Sequence, residues 1–556
     1  MYKLFLCLRY LRSRVIAYFA VLGVALCVAM MLIAISVMDG FLRKIELAAK
    51  GLFGDIVVES TSLTGLGLYD EFAAELNWEM PELKASPFII TYGILRVPNY
   101  DYRTMIQIAG IRLPGRADVS DFEEGLFVQA GRAQPTWTPS IEQMQQAVRR
   151  DAEEIRAILD REQAAAVDGK LPAAKAELVR RLRDALSFHF QAEGQLLVAR
   201  DLAGELGAAR AKLDEAIAAG QDAAAIEQLQ LQVDELTERS GLLGPEDRAI
   251  LGLGIGGLSF RTDQGETIRK LLPSFKVNLV LAPLGRRLSA TEVTPNQQNF
   301  TVVDDCRTDV ASIDSEIVYI PFETLQRLNN MTAEYSADDP QRVVIPARCS
   351  QIHVKVPGQA DERALEQTRL RVEALWRKFH AAHPEASSGN VDVLTWRQRQ
   401  ANVVGPIEKQ RTLTMIMFGI ISLVAVVLIF VIFYMIVFQK TKDIGVLKAI
   451  GASSGGVAWI FLLYGAAVGL VGSILGTVGG YYFVRYINPI QDWVDRVFGF
   501  RVWSREVFMF EKIPNEVDPA NVVGIVIAAI AAGLVGALIP AYRAARMQPV
   551  EALRYE

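Results

Sequence analysis

At 556 residues the chain exceeds one ordinary core. Hydrophobic residues make up 51% and charged ones 22%, with a mean hydropathy of +0.22, so apolar and polar stretches must be segregated along the chain. A net charge of -5 with no basic, aromatic-interleaved patch argues against nucleic acid as a partner, and four cysteines are too few for a disulfide framework.

Lys3, Arg9, Arg12 and Arg14, with no acid among them, lead into Val15 to Met38, which carries no charge. As a helix that run extends about 36 Å, enough to cross a hydrocarbon core of about 30 Å. It is too long for the apolar region of a signal peptide, and no Ala-x-Ala-like site follows before Asp39 and Gly40, so it reads as an uncleaved anchor. Cys27 lies within it. Cys7, preceded by Phe5 and Leu6 and no apolar stretch, reads as a plain apolar residue and not as a lipidation site.

Between Gly51 and Met105 the sequence alternates as strands do, in Asp55-Ile56-Val57-Val58-Glu59 and Phe88-Ile89-Ile90-Thr91-Tyr92. From about Ser140 to Ser240 the composition shifts to Ala, Glu, Gln, Arg and Leu, with breaks at Asp168 to Pro172 and Gly220 to Asp222. That is the pattern of long solvated helices in a hairpin or small bundle, either a docking arm or an insertion without a partner. Strands return at Lys276 to Leu281, Asn299 to Val303, Glu316 to Ile320 and Ile352 to Val356, and helices at Glu323 to Asn329 and Glu362 to Ala381. Cys306 and Cys349 lie in this polar middle, where an oxidising compartment pairs them if their Cα atoms approach to about 6 Å.

No Gly-x-x-x-x-Gly-Lys-Ser/Thr loop occurs, so nucleotide phosphates find no P-loop here and energy must come from elsewhere. Gly252, Gly254 and Gly257 have the spacing of a dinucleotide turn but lead into Leu258-Ser259-Phe260-Arg261 and not into a helix. His380 and His383 precede Pro384 and lack a third ligand, so they read as solvated side chains, not a metal site. With no Ser/His/Asp or Cys/His set, the chain reads as no enzyme, with no cofactor or metal of its own.

Three further charge-free runs follow: Thr412 to Phe438, Ala449 to Val484 and Asn521 to Tyr542. Buried soluble helices are the competing reading. The middle run exceeds one crossing, so its first residues lie outside the bilayer. Gly465, Gly469, Gly472, Gly476 and Gly480 form a small-residue stripe along it, suited to close helix approach within the protomer. Between the second and third runs, Gln439 to Ser453 is a short amphipathic helix ending at a glycine. Ile444, Leu447 and Ile450 fall three apart on one side with Lys442 and Lys448 at its edge, fit for a partner's groove or for lying on lipid.

Lys and Arg beside the spans set the orientation. The N-terminal bases, Lys440, Lys442 and Lys448 against Asp443, and Arg543, Arg546 and Arg554 mark the cytoplasmic side. Tyr486 to Pro519, richer in acids than bases, suits the far side. Both termini are then inside and Asp39 to about Arg411 outside. The fold class is an α-helical membrane protein with four transmembrane helices plus a large mixed α/β extracytoplasmic domain carrying a long helical insertion. The divisions are 1–48 (cytoplasmic N-terminus and first span), 49–135 and 246–405 (the α/β domain), 136–245 (the insertion), and 406–556 (spans two to four with the helix 439–453 and the tail).

Leu8-Arg9-Tyr10-Leu11-Arg12 and Ser36-Val37-Met38-Asp39-Gly40-Phe41 flank the first span, and Trp396 through Lys409 leads into the second. Asp443 to Ser453 follows it, and Pro540-Ala541-Tyr542-Arg543-Ala544-Ala545-Arg546 with Pro549-Val550-Glu551-Ala552-Leu553-Arg554-Tyr555-Glu556 closes the chain. In these stretches the sequence resembles the LolC/LolE lipoprotein-releasing ABC transporter permeases, within the group that also holds MacB-type efflux permeases and FtsX proteins. The likeness covers most of the chain except about Gln134 to Gly244, where the family has only a short connection.

The resemblance implies a bacterial inner-membrane subunit paired with a second permease protomer, the same or related. Two copies of a cytoplasmic ABC ATPase would hold the ATP and Mg and drive transfer of a lipoprotein to a periplasmic carrier. Moving three acyl chains of about 15 methylenes each out of lipid costs about 36 kcal/mol at about 0.8 kcal/mol per methylene, so a substitute apolar surface is required. The implied ATPase-docking residues are Lys442, Asp443, Ile444, Leu447, Lys448, Ile450 and Gly451. Met415, Met417, Phe418, Phe430, Phe433 and Met435 are the candidates for the substrate cavity, their flexible and aromatic side chains suiting variable chains or simply facing lipid. The loop Leu281 to Asn299, with Leu284, Leu288, Val293 and Pro295, is the candidate for carrier docking. Alternatives within the same likeness are a MacB-like efflux permease working with a periplasmic adaptor and an FtsX-like mechanotransmitter controlling a cell-wall hydrolase.

Overall fold

The computed structural model describes residues 15–498 and 513–548 apart from 63, 99–101, 133, 165–172, 221, 241–246, 256, 263–265, 283–294, 309–310, 337–338, 340–341 and 359–360. Two compact units result, one of Met1–Ile45 with Ala401–Glu556 and one of Glu46–Gln400. In chain order the main helices are α1 (Val15–Phe53), α2 (Tyr69–Glu79), α3 (Ile141–Ala164), α4 (Ala173–Ala218), α5 (Ala223–Ser240), α6 (Phe322–Leu328), α7 (Glu362–Ala382), α8 (Ala401–Gln439), α9 (Thr441–Ala449), α10 (Ser454–Arg485), α11 (Ile487–Phe498) and α12 (Pro519–Arg546).

Four of these, α1, α8, α10 and α12, are long and apolar enough to cross a membrane. Their ends differ from the charge-free runs because helices do not stop at the first charge. α1 continues past Asp39 and Gly40 to Phe53, and α8 starts at Ala401 and takes Pro406 into its opening turns. α10 begins at Ser454, capped by Ser453, whose hydroxyl accepts from the Gly456 N–H at 3.1 Å. α12 opens on Pro519 behind Asp518, which accepts from the Ala520 N–H at 3.0 Å.

The glycines of α10 serve two neighbours. A Cβ added at Gly465 would sit 2.6 Å from both the Gly533 carbonyl and the Ala537 Cβ of α12, and one at Gly469 2.9 Å from the Ala529 carbonyl. Further along, a Cβ at Gly472 would lie 2.7 Å from Val24 of α1, and Gly476 and Gly480 abut Ala25, Val28 and Ala29 of the same helix. α8 joins through Ile429 against Gly536 and Phe433 against Tyr464, ring centroids 5.0 Å apart.

The second unit is built on a sheet. Its strands are β1 (Ile56–Ser60), β2 (Lys84–Val97), β3 (Tyr102–Ile111), β4 (Arg248–Gly252), β5 (Lys276–Leu281), β6 (Asn296–Cys306), β7 (Ile317–Pro321), β8 (Gln351–Lys355) and β9 (Val391–Thr395), in the order β9-β1-β8-β2-β3-β7-β4-β6-β5. The first half of β2 pairs with β8 and the second, Gly93 to Arg96, with β5, so β2, β3, β7, β4, β6 and β5 close on themselves. Gly93 sits where β2 changes partner; a Cβ there would lie 2.6 Å from Ile108 Cδ1 and 2.7 Å from the Val280 carbonyl. β3/β7 and β4/β6 are parallel, the other pairs antiparallel. The core holds Val57, Phe88, Ile111, Ile250, Val303 and Tyr319.

The helical insertion leaves after β3 and returns at β4. α4, about 69 Å long at 1.5 Å per residue, packs antiparallel helices in series, α3 near its start and α5 near its end. Its seat on the domain is apolar and charged together. Ile155, Ile158, Leu182 and Leu186 pack on Phe260 and Ile268. Arg269 pairs with Asp151 of α3 at 3.0 Å and with Asp305 of β6 at 2.6 Å, its guanidinium 3.8 Å over the Phe127 ring. Burial opposes the Arg269 charge, but Asp305 and Asp151 hold its pKa above the usual range. His189 of α4 completes the set, with Nε2 2.8 Å from Asp151.

Cys306 and Cys349 are free and buried, so the pairing that the sequence left open is not made. Cys306 ends β6 opposite Gly252, whereas Cys349 pairs with Leu66. Burial pushes both thiols up, which leaves them inert. Gly252 and Gly254 mark a close chain crossing, since Cβ atoms there would lie 2.9 Å from the Ile317 carbonyl oxygen and from Asp314 C. His380 stacks on Trp376, and no cluster able to hold a metal occurs among the described residues.

Arg116 and His353 are buried beneath this sheet. His353 Nδ1 accepts from Arg116 Nη1 at 2.7 Å, and its Nε2 lies 2.9 Å from Gln351 Oε1. Burial pulls Arg116 down to about 10, and burial followed by the charges of Arg116 and Arg399 pushes His353 well below the usual histidine range.

Two outcomes follow from this packing. The unfolded chain takes up a proton at His353 near pH 6.5 that the native chain refuses, so stability falls with acidification below that point, by up to about 1.4 kcal/mol per pH unit. His353→Gln should flatten this limb in melts between about pH 5 and pH 8. In the helical unit, Gly465→Val should cost about 1–3 kcal/mol of stability in mixed-micelle unfolding. Gly479→Val, on the same helix with nothing within 4 Å of the added Cβ, should be neutral.

Candidate functional site

The short helix between the second and third spans is held at both ends and along one side. α8 breaks at Lys440, whose amine pairs with Asp443 at 2.5 Å. α9 ends on Gly451 at φ 103°, in the left-handed region, with the Ala452 N–H donating back to the Leu447 carbonyl at 3.0 Å. Ile444 is buried in the core of the bundle with Phe433, Tyr464 and Ala544. Lys448 Nζ donates to the carbonyls of Ala545 at 2.6 Å and Met547 at 2.8 Å, closing the C-terminal end of α12 with a positive charge.

The face expected to be free is therefore only partly so. A spacing of three drifts about 60° per step on a helix of about 100° per residue, so Ile444, Leu447 and Ile450 fan from buried through half-buried to exposed. The residues that share the open side are Lys442, Val446, Ala449 and Ile450, with Asp443 at its edge. Val446 is 46% exposed and Ile450 81%. The i, i+4 spacing of Lys442, Val446 and Ile450 carried that information in the sequence. Which side packs inward depended on α12.

Along α8, Ile429, Ile432, Phe433 and Val437 turn into the bundle. Phe433, at 0% exposure, is a packing residue and does not join the other cavity candidates. Phe418 and Phe430 are half-buried at the flanks, and Met415, Met417 and Met435 are exposed. Met417 and Met435 share one line with Ile420, Val424, Val427 and Val431, an apolar face that the protomer leaves open.

At the other end of the bundle three spans meet at Asp39. Its carboxylate forms an ion pair with Arg411 of α8 at 2.9 Å and accepts from Asn521 Nδ2 of α12 at 2.7 Å. Gly40 beside it admits Pro514, whose Cβ would lie 2.5 Å from an added Cβ. Nothing in the local sequence announced this joint, because its three members are hundreds of residues apart. Of the carrier-loop candidates, Leu284, Leu288 and Val293 lie outside the described residues, and Pro295 is exposed just before β6.

Residues 415–549, from within α8 to just beyond α12, match the family model of the FtsX-like permease C-terminal domain. Over 164 residues the chain is 29% identical to the lipoprotein-releasing system transmembrane protein LolC of Xylella fastidiosa strain Temecula1, covering 30% of this chain and 40% of that protein. LolC of Neisseria meningitidis serogroup B is 24% identical over 277 residues, 50% of this chain and 60% of that one. LolE of Haemophilus influenzae is 30% identical over 119 residues, 21% and 29% of the two chains. Residues 415–549 are thus similar to an FtsX-like permease C-terminal domain, and the chain in part to LolC and LolE. The matched stretches span 29% to 60% of these three relatives' own length.

Lys448 ties α9 to the C-terminal end of α12 through its two hydrogen bonds. Lys448→Met should remove about 1.5–3 kcal/mol of charged hydrogen bonding and fray the last turn of α12. Amide exchange of Ala544 to Arg546 should then rise while that of the α10 core stays unchanged.

Proposed function

We propose that this permease extracts lipoproteins, or similarly lipidated substrates, from the bacterial inner membrane and passes them to a periplasmic carrier, using ATP hydrolysed on a separate subunit. The observation that carries the reading is the open apolar line from Met417 to Met435 on α8, with a flexible Met at each end and left free by the bundle. Two such faces, from this protomer and a second one of the same or related sequence, enclose a surface that replaces lipid around acyl chains.

The energy enters at α9. Two copies of an ATPase, holding ATP and Mg, grip Lys442, Val446, Ala449 and Ile450, and the push reaches α8 and α10 through the chain and α12 through Lys448. The bases Lys440, Lys442, Lys448, Arg543 and Arg546 support a cytoplasmic placement of this end, with both termini. Residues 46–400 then lie in the periplasm, where Leu284, Leu288, Val293 and Pro295 are the residues proposed to meet the carrier. Permease activity without chemistry of its own, and efflux or hydrolase control as alternatives, divide on one assay.

In liposomes holding the purified permease–ATPase complex and a triacylated lipoprotein, transfer to a soluble carrier should require ATP; equal transfer without it would refute the proposal. Val446→Asp and Ile450→Asp should detach the ATPase while leaving membrane insertion intact. Unchanged co-purification of both variants would remove α9 as the docking helix.

A further inference from the structure

α11 follows α10 after a single residue, Tyr486, at the end of the span opposite α9. Projected at about 100° per residue, Ile487, Ile490, Trp493, Val494, Val497 and Phe498 occupy one arc of about 140°, and Asn488, Gln491, Asp492, Asp495 and Arg496 the other. The helix is attached by its polar side. Asn488 donates to the Ile513 carbonyl at 3.0 Å and accepts from the Ile513 N–H at 2.9 Å, while Gln491 is buried. Part of the apolar arc is open, with Trp493 56%, Val497 56% and Phe498 69% exposed, while Ile487, Ile490 and Val494 are half-buried.

A helix docked on protein in water does the reverse, burying the apolar arc and presenting the polar one. We propose that α11 is an interfacial helix whose apolar arc lies in the headgroup and upper acyl region of the bilayer. The occupant follows from what adjoins the arc. Tyr481, Tyr482, Phe483 and Tyr486 are exposed at the same end of α10, where a span leaves the hydrocarbon and aromatic rings settle. Trp493 lies at the border of the two arcs, so its ring is in lipid and its indole N–H can reach the wet side. Asp492 and Asp495 outweigh Arg496, so the polar arc has no positive excess and attachment comes from apolar burial and from the tether to α10, not from anionic lipid.

The inference is independent of the substrate the permease moves. The full chain, carrying p-benzoylphenylalanine in place of Val497, is irradiated in vesicles of phosphatidylethanolamine with and without phosphatidylglycerol. Phospholipid adducts should form in both, at the level given by the same reporter at Leu475 on the exposed face of α10 and several-fold above the reporter at Asp492. A main product linked to a second copy of the chain, or to the chain's own residues, would overturn the proposal, as would adducts confined to the anionic vesicles. So would their absence at Val497 while Leu475 reports. A second measurement needs no reporter: the fluorescence lost between wild type and Trp493→Phe should be quenched by lipids brominated near the glycerol and not by aqueous iodide.

Discussion

Apolar helices in lipid gain nothing by hiding from their solvent, so what holds α1, α10 and α12 together is the closeness of their backbones. The glycines at 465, 469, 472, 476 and 480 set that distance, and α10 divides them between two partners. Gly533 of α12 answers Gly465 directly, each removing the side chain that would hold the other away. With three helices in close contact, α8 is left to pack by larger side chains, Ile429 and Phe433, on one side only. Its opposite face stays open because the bundle has no fifth helix to cover it among the described residues.

The two ends of this bundle are polar for different reasons. At one, Asp39 ties α1, α8 and α12 by an ion pair and a hydrogen bond. At the other, Lys448 ties the short α9 to the end of α12 by two charged hydrogen bonds. A force on the free side of α9 therefore acts on three spans: two joined to it by the chain and one by a side chain. α11 adds a third kind of attachment, a helix bound by polar groups with Trp493, Val497 and Phe498 of its apolar arc exposed.

The sheet unit solves a separate problem. A strand as long as β2 can serve two partners on the same edge only if the backbone bends between them, and Gly93 permits the approach. The insertion is fastened to this sheet through Arg269, which bridges Asp151 and Asp305 where apolar packing alone would leave the contact unspecific.

Much of this was legible along the chain. Four helices long and apolar enough to span, the strands read at 276–281 and 352–356 and found at 276–281 and 351–355, the helix read at 362–381 and found at 362–382, and the helical character of the insertion follow from periodicity and from runs without charge, properties of neighbouring residues. The glycine stripe announced close packing. It could not say that Gly465 and Gly472 face different helices, nor that Phe433 is core while Met417 and Met435 are open, because the same apolar residue suits either environment in a membrane. Ile444 was placed on the free face of α9 and proved to be inside, since the inward side of a helix is chosen by its neighbours. The sequence alone thus determined which segments are helix, strand or span, through local pattern and hydrophobicity. Only the tertiary structure decided that Asp39 meets Arg411 and Asn521, that Lys448 closes α12, and that α11 leaves Trp493, Val497 and Phe498 exposed, because each depends on side chains brought together from distant parts of the chain.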